Sequence, residues 1–135
     1  MSTFTAIPAR TSTRRSRRAR AAGISLWTVR ILLATQFAIG GVLKLTAEAS
    51  MVTMFDDIGA GQGLRLFVGI CELAGAIGLL VPRLVRLAAT AVVLLMIGAS
   101  VTNVLALQTS PALPLVLGAL AALVAVGTTR KENAR

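Results

Sequence analysis

The chain predicts an all-α fold, a bundle of four transmembrane helices, on three observations. Apolar runs occur at Leu26 to Leu45, Leu64 to Val81, Leu87 to Leu107 and Pro111 to Gly127, each close to the roughly 20 residues a helix needs to cross a hydrocarbon core of about 30 Å. Hydrophobic residues make up 56% of the 135 and charged residues 14%, against roughly 25% charged in a soluble domain. The runs are apolar all round and do not alternate, which disfavours the strands of a barrel. The length suits one domain.

The expected organisation is a disordered basic tail over 1–24, a membrane domain over 25–129 with helices near 26–47, 64–81, 85–107 and 111–128, and a basic C-terminal tail over 130–135. The N-terminal segment carries Arg10, Arg14, Arg15, Arg17, Arg18 and Arg20 among Ser, Thr and Ala, with no apolar period, the composition of a solvated arm. Arginine arms also bind nucleic acid, but no aromatic or recognition-helix pattern accompanies this one and an apolar segment follows directly, so the lipid surface is the expected partner and nucleic acid is not.

Orientation follows from where Lys and Arg fall. The N-terminal segment holds six, the turn at 82–86 holds Arg83 and Arg86, and the C-terminal segment holds Arg130, Lys131 and Arg135, whereas the connections at 47–63 and 108–110 hold none. The positive-inside rule then puts both termini in the cytoplasm, with Trp27 as an anchor at the inner interface. A cleavable signal over the first apolar run is the rival parse, set aside because Lys44 interrupts the approach to the Ala47/Ala49 site.

In the first helix only 13 residues separate Arg30 from Lys44, about 20 Å and short of the core thickness, so one or both must snorkel or pair. Arg30, near the inner end, can reach headgroups. Two placements satisfy Lys44, outward snorkelling or an inward pair with Glu72, and Gly40 and Gln36 share its face. In the first outer connection Met51, Met54, Phe55 and Ile58 fall at i, i+3, i+4 and i+7, one apolar face of a short interfacial helix, with Asp56 and Asp57 opposite. That helix either braces the bundle or serves as a lid, and Gly59, Gly61 and Gly63 supply its joints.

Glu72 lies about 12 Å inside the second helix, too deep for a bare carboxylate, and must be neutral, paired or facing water. Arg65 shares its face nearer the outer end, and Gly69, Gly75 and Ala76 allow a neighbouring helix to approach. Cys71 points about 100° away and reads as a structural thiol. In the third helix Asn103 lies about 6 Å from the outer end, placed either to join helices or to line a site. The fourth helix, with Pro111, Pro114, Gly118 and Ala122, has no ionisable group and reads as packing; such small-residue stripes also permit a homo-oligomer. Lys44, Arg65, Glu72 and Asn103 therefore define an outward-facing polar pocket. Histidine and tyrosine are absent and there is one cysteine, which excludes an axial-His haem, a Cys/His zinc site and a disulfide within the chain, and leaves no intrinsic cofactor or metal.

Gly41, Lys44 and Leu45 form GxxKL at the end of the first helix, Glu72 to Leu80 with Pro82 reads ELAGAIGLL-P, and Gly98 and Ala99 follow in the third. This pattern resembles the DoxX-like family of small four-helix bacterial membrane proteins, over Val29 to Gly127 and without the arginine tail. The resemblance implies a multi-pass protein of the bacterial inner membrane whose polar landmarks fall on Lys44 and Glu72. It further implies association with a membrane oxidoreductase, since the family is named after subunits linked to archaeal thiosulfate:quinone oxidoreductase and a mycobacterial relative is tied to oxidative and sulfur stress.

Three functions are compatible with these residues. One is a membrane subunit of a quinone-linked redox or stress system, with a quinone headgroup or small acid in the pocket and Glu72 exchanging protons. A second is a non-catalytic assembly or anchor protein, in which Lys44 and Glu72 only lock two helices. The third is a small proton-coupled transporter with Glu72 alternating between proton and cargo; the length resembles that of small multidrug exporters, but those carry the key glutamate in the first helix and Glu72 is in the second.

Overall fold

The computed structural model describes residues 11–134, with side chains described from Ser16 onward. Five helices follow one another: α1 (Thr11–Leu45), α2 (Ala49–Asp57), α3 (Gly61–Leu80), α4 (Val85–Leu105) and α5 (Ala112–Asn133). Four of them, all but α2, are long and apolar enough to cross a membrane. Among the described residues every regular element is a helix.

The long helices run alternately up and down, so α2 sits at one end of the bundle, with the α4–α5 loop, and the start of α1 and the end of α5 sit at the other; these are the α2 end and the terminal end below. The principal contacts pair α1 with α3 and α4 with α5, and α3 against α4 joins the pairs, with α1 against α5 closing the ring. Leu33 and Phe37 of α1, Leu79 of α3, Val85, Ala89 and Val92 of α4, and Ala121 and Val124 of α5 meet in one buried cluster. Ile31, Phe67, Ile70, Leu87, Leu94, Leu105 and Leu123 face outward. In a bilayer such a surface needs no cover, and helices associate through close packing instead of hydrophobic exclusion.

Small residues set that packing. A Cβ placed on Gly41 would stand 2.9 Å from the Gly69 carbonyl oxygen, and one on Gly69 would stand 3.1 Å from the Cβ of Lys44, so α1 and α3 touch backbone to backbone. A Cβ on Gly78 would lie 2.6 Å from that of Ala88, and one on Gly75 would lie 3.1 Å from Val92. These contacts hold α3 and α4 together toward the terminal end. Toward the α2 end the pair opens, for a Cβ on Gly98 would meet nothing within 4 Å. Gly118, expected as a packing residue, lies against Met96 of α4.

Both tail boundaries differ from the sequence reading. The segment 11–24 is the first part of α1 and not a separate tail, because Ala and Arg favour the helix and no proline falls between Pro8 and Pro82; residues 1–10 of the expected tail lie outside the described residues. At about 1.5 Å per residue α1 is about 52 Å long, far more than a hydrocarbon core, so its arginine turns project past the bundle. Likewise α5 continues to Asn133, where Glu132 meets the Arg86 guanidinium at 3.0 Å, an exposed pair of small energetic consequence.

Candidate functional site

The niche for a buried carboxylate comes from two glycines. A Cβ on Gly40 would lie 3.1 Å from Oε2 of Glu72, so that helix face is hollow where the carboxylate stands. The missing side chain of Gly69 accommodates the stem of Lys44, and the ammonium then reaches inward along α3. Lys44 Nζ donates to both carboxylate oxygens of Glu72, at 3.1 and 3.0 Å. Of the two placements open to Lys44, the structure has the inward pair. Both groups are largely withdrawn, with side-chain exposures of 12% and 9%. Because α3 begins at Gly61, Glu72 lies about 17 Å along the helix, deeper than the sequence boundary implied.

The pair forms part of the wall of a cavity of about 350 Å³ in the opening between α3 and α4. Leu64, Phe67 and Val68 of α3 and Leu94, Leu95, Met96, Gly98 and Ala99 of α4 line it, with Thr102, Asn103 and Leu107 toward the α2 end. Met54 and Phe55 of α2, with Ile58 just after it, line it on that side. Phe67 and Leu94 also lie on the outer surface of the bundle, so the cavity borders the lipid-facing side. Met54, Asn103 and Leu107 are shared with an adjoining open cleft between α2 and the α4–α5 loop.

Helix α2 is attached on the α1 and α3 side alone. Phe55 is its buried anchor. Glu48 caps its first turn, accepting from the amides of Ser50 and Met51 and from the Ser50 hydroxyl, the arrangement that satisfies free N–H groups at a helix start. The hydroxyl bond is the largest influence and holds the Glu48 carboxyl below its ordinary range; desolvation opposes it, and the Met51 and Ser50 amides add to the lowering. At the other end Gln62 donates to Asp56 at 2.6 Å and to the Val52 carbonyl at 3.3 Å. Gly59 and Gly61, at φ of 73° and 74°, turn the chain between α2 and α3 in a region where side chains are strained.

Of the residues expected in the pocket, Lys44, Glu72 and Asn103 line the cavity, and Asn103 also donates to the Ser110 carbonyl at 3.1 Å, tying α4 to the following loop. Arg65 stands elsewhere. It is buried beside the end of α1, where its guanidinium donates to the Lys44 carbonyl and, at 2.5 Å, to Gln62. The cause is the set of free carbonyls at a helix C-terminus, which attracts a cation. Of the four residues expected on the covering helix, Met54, Phe55 and Ile58 reach the cavity, and Met51 is half-buried without lining it. Sequence reading missed the apolar walls at Leu64, Phe67 and Leu94, which no polar signal marks.

Arg30 mirrors Arg65. Instead of snorkelling, it is buried and donates through Nε to the Leu79 carbonyl at 2.7 Å. Each antiparallel helix thus lends an arginine to the other's C-terminal end, and the two clasps are separated by 14 residues on both helices, about 21 Å.

The model of the DoxX-like family matches residues 28–126, the whole of the helical region just described apart from its ends. No curated protein and no solved structure matches the chain.

Proposed function

The chain belongs to the DoxX-like family and is a multi-pass membrane protein, and on that basis we propose that it is a membrane subunit of a quinone-linked redox or stress system, binding a quinone headgroup in the cavity beneath α2. The observation that carries the reading is the cavity itself, about 350 Å³ with two hydrogen-bond donors, Lys44 and Asn103, among mostly apolar walls. Its size falls within the range of small-molecule sites, roughly 300–1,000 Å³, and its few polar groups in an apolar lining have the usual character of such sites. Walls shared with the lipid-facing surface at Phe67 and Leu94 suit a ligand that arrives through the bilayer with an apolar tail.

When bound, a quinone would supply two-electron, two-proton carrier chemistry. Lys44 and Asn103 would hold and orient carbonyl oxygens. Glu72, whose oxygens both engage Lys44, would give up or accept a proton at a carboxylate oxygen as Lys44 turns toward the ligand. Water entering from the cleft beside Met54, Asn103 and Leu107 would relay that proton to the α2 end, and α2 would limit its access. Electrons come from a partner, a membrane-associated oxidoreductase, since no side chain in the cavity carries a redox centre. In this reading both termini face the cytoplasm of a bacterial inner membrane and α2 lies in the outer interface, in accord with the distribution of Lys and Arg.

The test is titration of the detergent-solubilised protein with a short-chain quinone. Wild type binds saturably, and Gly98→Leu, which fills the cavity from a position with no atoms near its Cβ, loses binding while keeping its thermal stability. Equal binding by both removes the proposal. A second reading is favoured by one observation, the engagement of both Glu72 oxygens by Lys44: the pair is solely a lock between α1 and α3, and the protein an assembly or anchor subunit. It predicts that an apolar replacement of both residues preserves complementation.

A further inference from the structure

A second polar cavity lies at the terminal end, away from the one beneath α2. Its volume is about 210 Å³, and Trp27, Arg30, Pro82, Thr128, Lys131 and Glu132 are among its lining residues. Arg30 is 7% exposed. Its Nε serves the Leu79 carbonyl and its guanidinium carbon stands 4.3 Å from the centroid of the Trp27 ring. Nη2 has no hydrogen-bond partner. A buried guanidinium N–H without an acceptor is a costly arrangement, and such groups in native proteins are matched by an acceptor from outside the chain.

The surroundings specify the acceptor. Glu132, the one acidic residue on the wall, is engaged at 3.0 Å by Arg86, which leaves Arg30 and Lys131 as an uncompensated pair of positive charges. Thr128 adds a hydroxyl, although its hydrogen is directed to the Val124 carbonyl. The cavity stands where α3 ends, before Pro82, and where the apolar part of α5 gives way to Lys131. That is the level of the headgroups, and a half-exposed tryptophan at such a level is an interfacial feature. A small volume, two cations, an aromatic plate and a position at the membrane boundary together describe a receptor for a phosphate group, which guanidinium groups bind with charge-assisted hydrogen bonds.

We propose that Arg30 and Lys131 bind a phosphate group at the terminal end of the bundle, supplied in the membrane by the headgroup of an anionic lipid. The phosphate oxygens satisfy Nη2, and the bound group ties α1 to α5 across the end of α3. Because the bond from Arg30 to Leu79 is part of the same site, lipid and helix clasp reinforce each other. The inference does not depend on the quinone reading.

Trp27 is the only tryptophan in the chain, so its fluorescence reports on the site directly. The full chain in micelles of a phosphate-free sugar detergent is titrated separately with phosphatidylglycerol, phosphatidylcholine and inorganic phosphate. Wild type is expected to show a saturable change in emission with phosphatidylglycerol. Lys131→Gln, at an exposed position, weakens that response a few-fold; Arg30→Gln abolishes it, with circular dichroism verifying the helices of both variants. A response to inorganic phosphate alone, weakened in the same variants, supports the site and identifies a soluble phosphate as its source. No response to any phosphate source, or one undiminished in both variants, overturns the proposal and leaves Nη2 to water.

Discussion

Removing Lys44 alone should damage the protein more than removing Lys44 and Glu72 together. At 3.0 Å and an effective dielectric of about 20, the Coulomb attraction is about 5.5 kcal/mol, and it is opposed by several kcal/mol of desolvation for each ion. The pair is therefore near balance as a whole, but either member alone is a charge withdrawn from solvent. Lys44→Met leaves the carboxylate in the niche at Gly40 without a donor, and Glu72→Leu leaves an ammonium beside Gly69; each is expected to cost about 3 kcal/mol. The double variant Lys44→Met/Glu72→Leu replaces the pair with side chains of similar volume and should fall within about 1 kcal/mol of wild type, giving a coupling of about 5 kcal/mol by the double-mutant cycle. Stability is read from reversible denaturation in mixed detergent micelles, all four proteins side by side. Additive losses, with a coupling under about 0.5 kcal/mol, would refute the pair in the membrane-like state and with it the reasoning that places both residues in one site.

Three further predictions concern packing, the cavity and pH. Gly78→Ala forces apart α3 and α4, where a Cβ would stand 2.6 Å from that of Ala88, and should lower stability by about 1–3 kcal/mol; an unchanged melting temperature would contradict the close approach. Gly98→Ala, with nothing within 4 Å, should be neutral or stabilising by up to about 1 kcal/mol, and a marked loss would show that the opening between those helices is closed. For Glu48 the folded carboxyl titrates below its unfolded value, so its contribution to capping α2 is fully present above the unfolded value and is lost as pH falls through the folded one. The Ser50 amide resonance should follow that titration with a midpoint below that of an unperturbed glutamate, and a midpoint at or above it would remove the cap as an ionic contact.

The four long helices were legible because twenty-residue apolar runs have one economical solution in a bilayer. The Lys44–Glu72 contact was half legible. Two opposite charges that lie too deep for water favour each other, but a lysine near a helix end also has an outward route, and Gly69, on another helix, removes the obstacle to the inward one. Arg65 was misplaced for a related reason: helical spacing put it on the face of Glu72, whereas the free carbonyls at the end of α1 are the stronger attraction for a guanidinium. Arg30 answers the same attraction at the end of α3. Neither clasp is visible without knowing that α1 and α3 are antiparallel in this register. The opening between α3 and α4 was illegible, since it arises from Gly75 and Gly78 approaching Val92 and Ala88 at one end while Gly98 has no counterpart at the other. Composition counts those glycines alike.

The most direct test of a ligand site beneath α2 is mass spectrometry of the gently extracted protein with its lipid-soluble small molecules, comparing wild type, Glu72→Gln and Gly98→Leu from the same host. A quinone retained by wild type and depleted about tenfold or more in both variants, the loss expected when a buried charged hydrogen bond or the room for the ligand is removed, is the result predicted. Equal recovery from all three proteins, or none from wild type, would contradict the account.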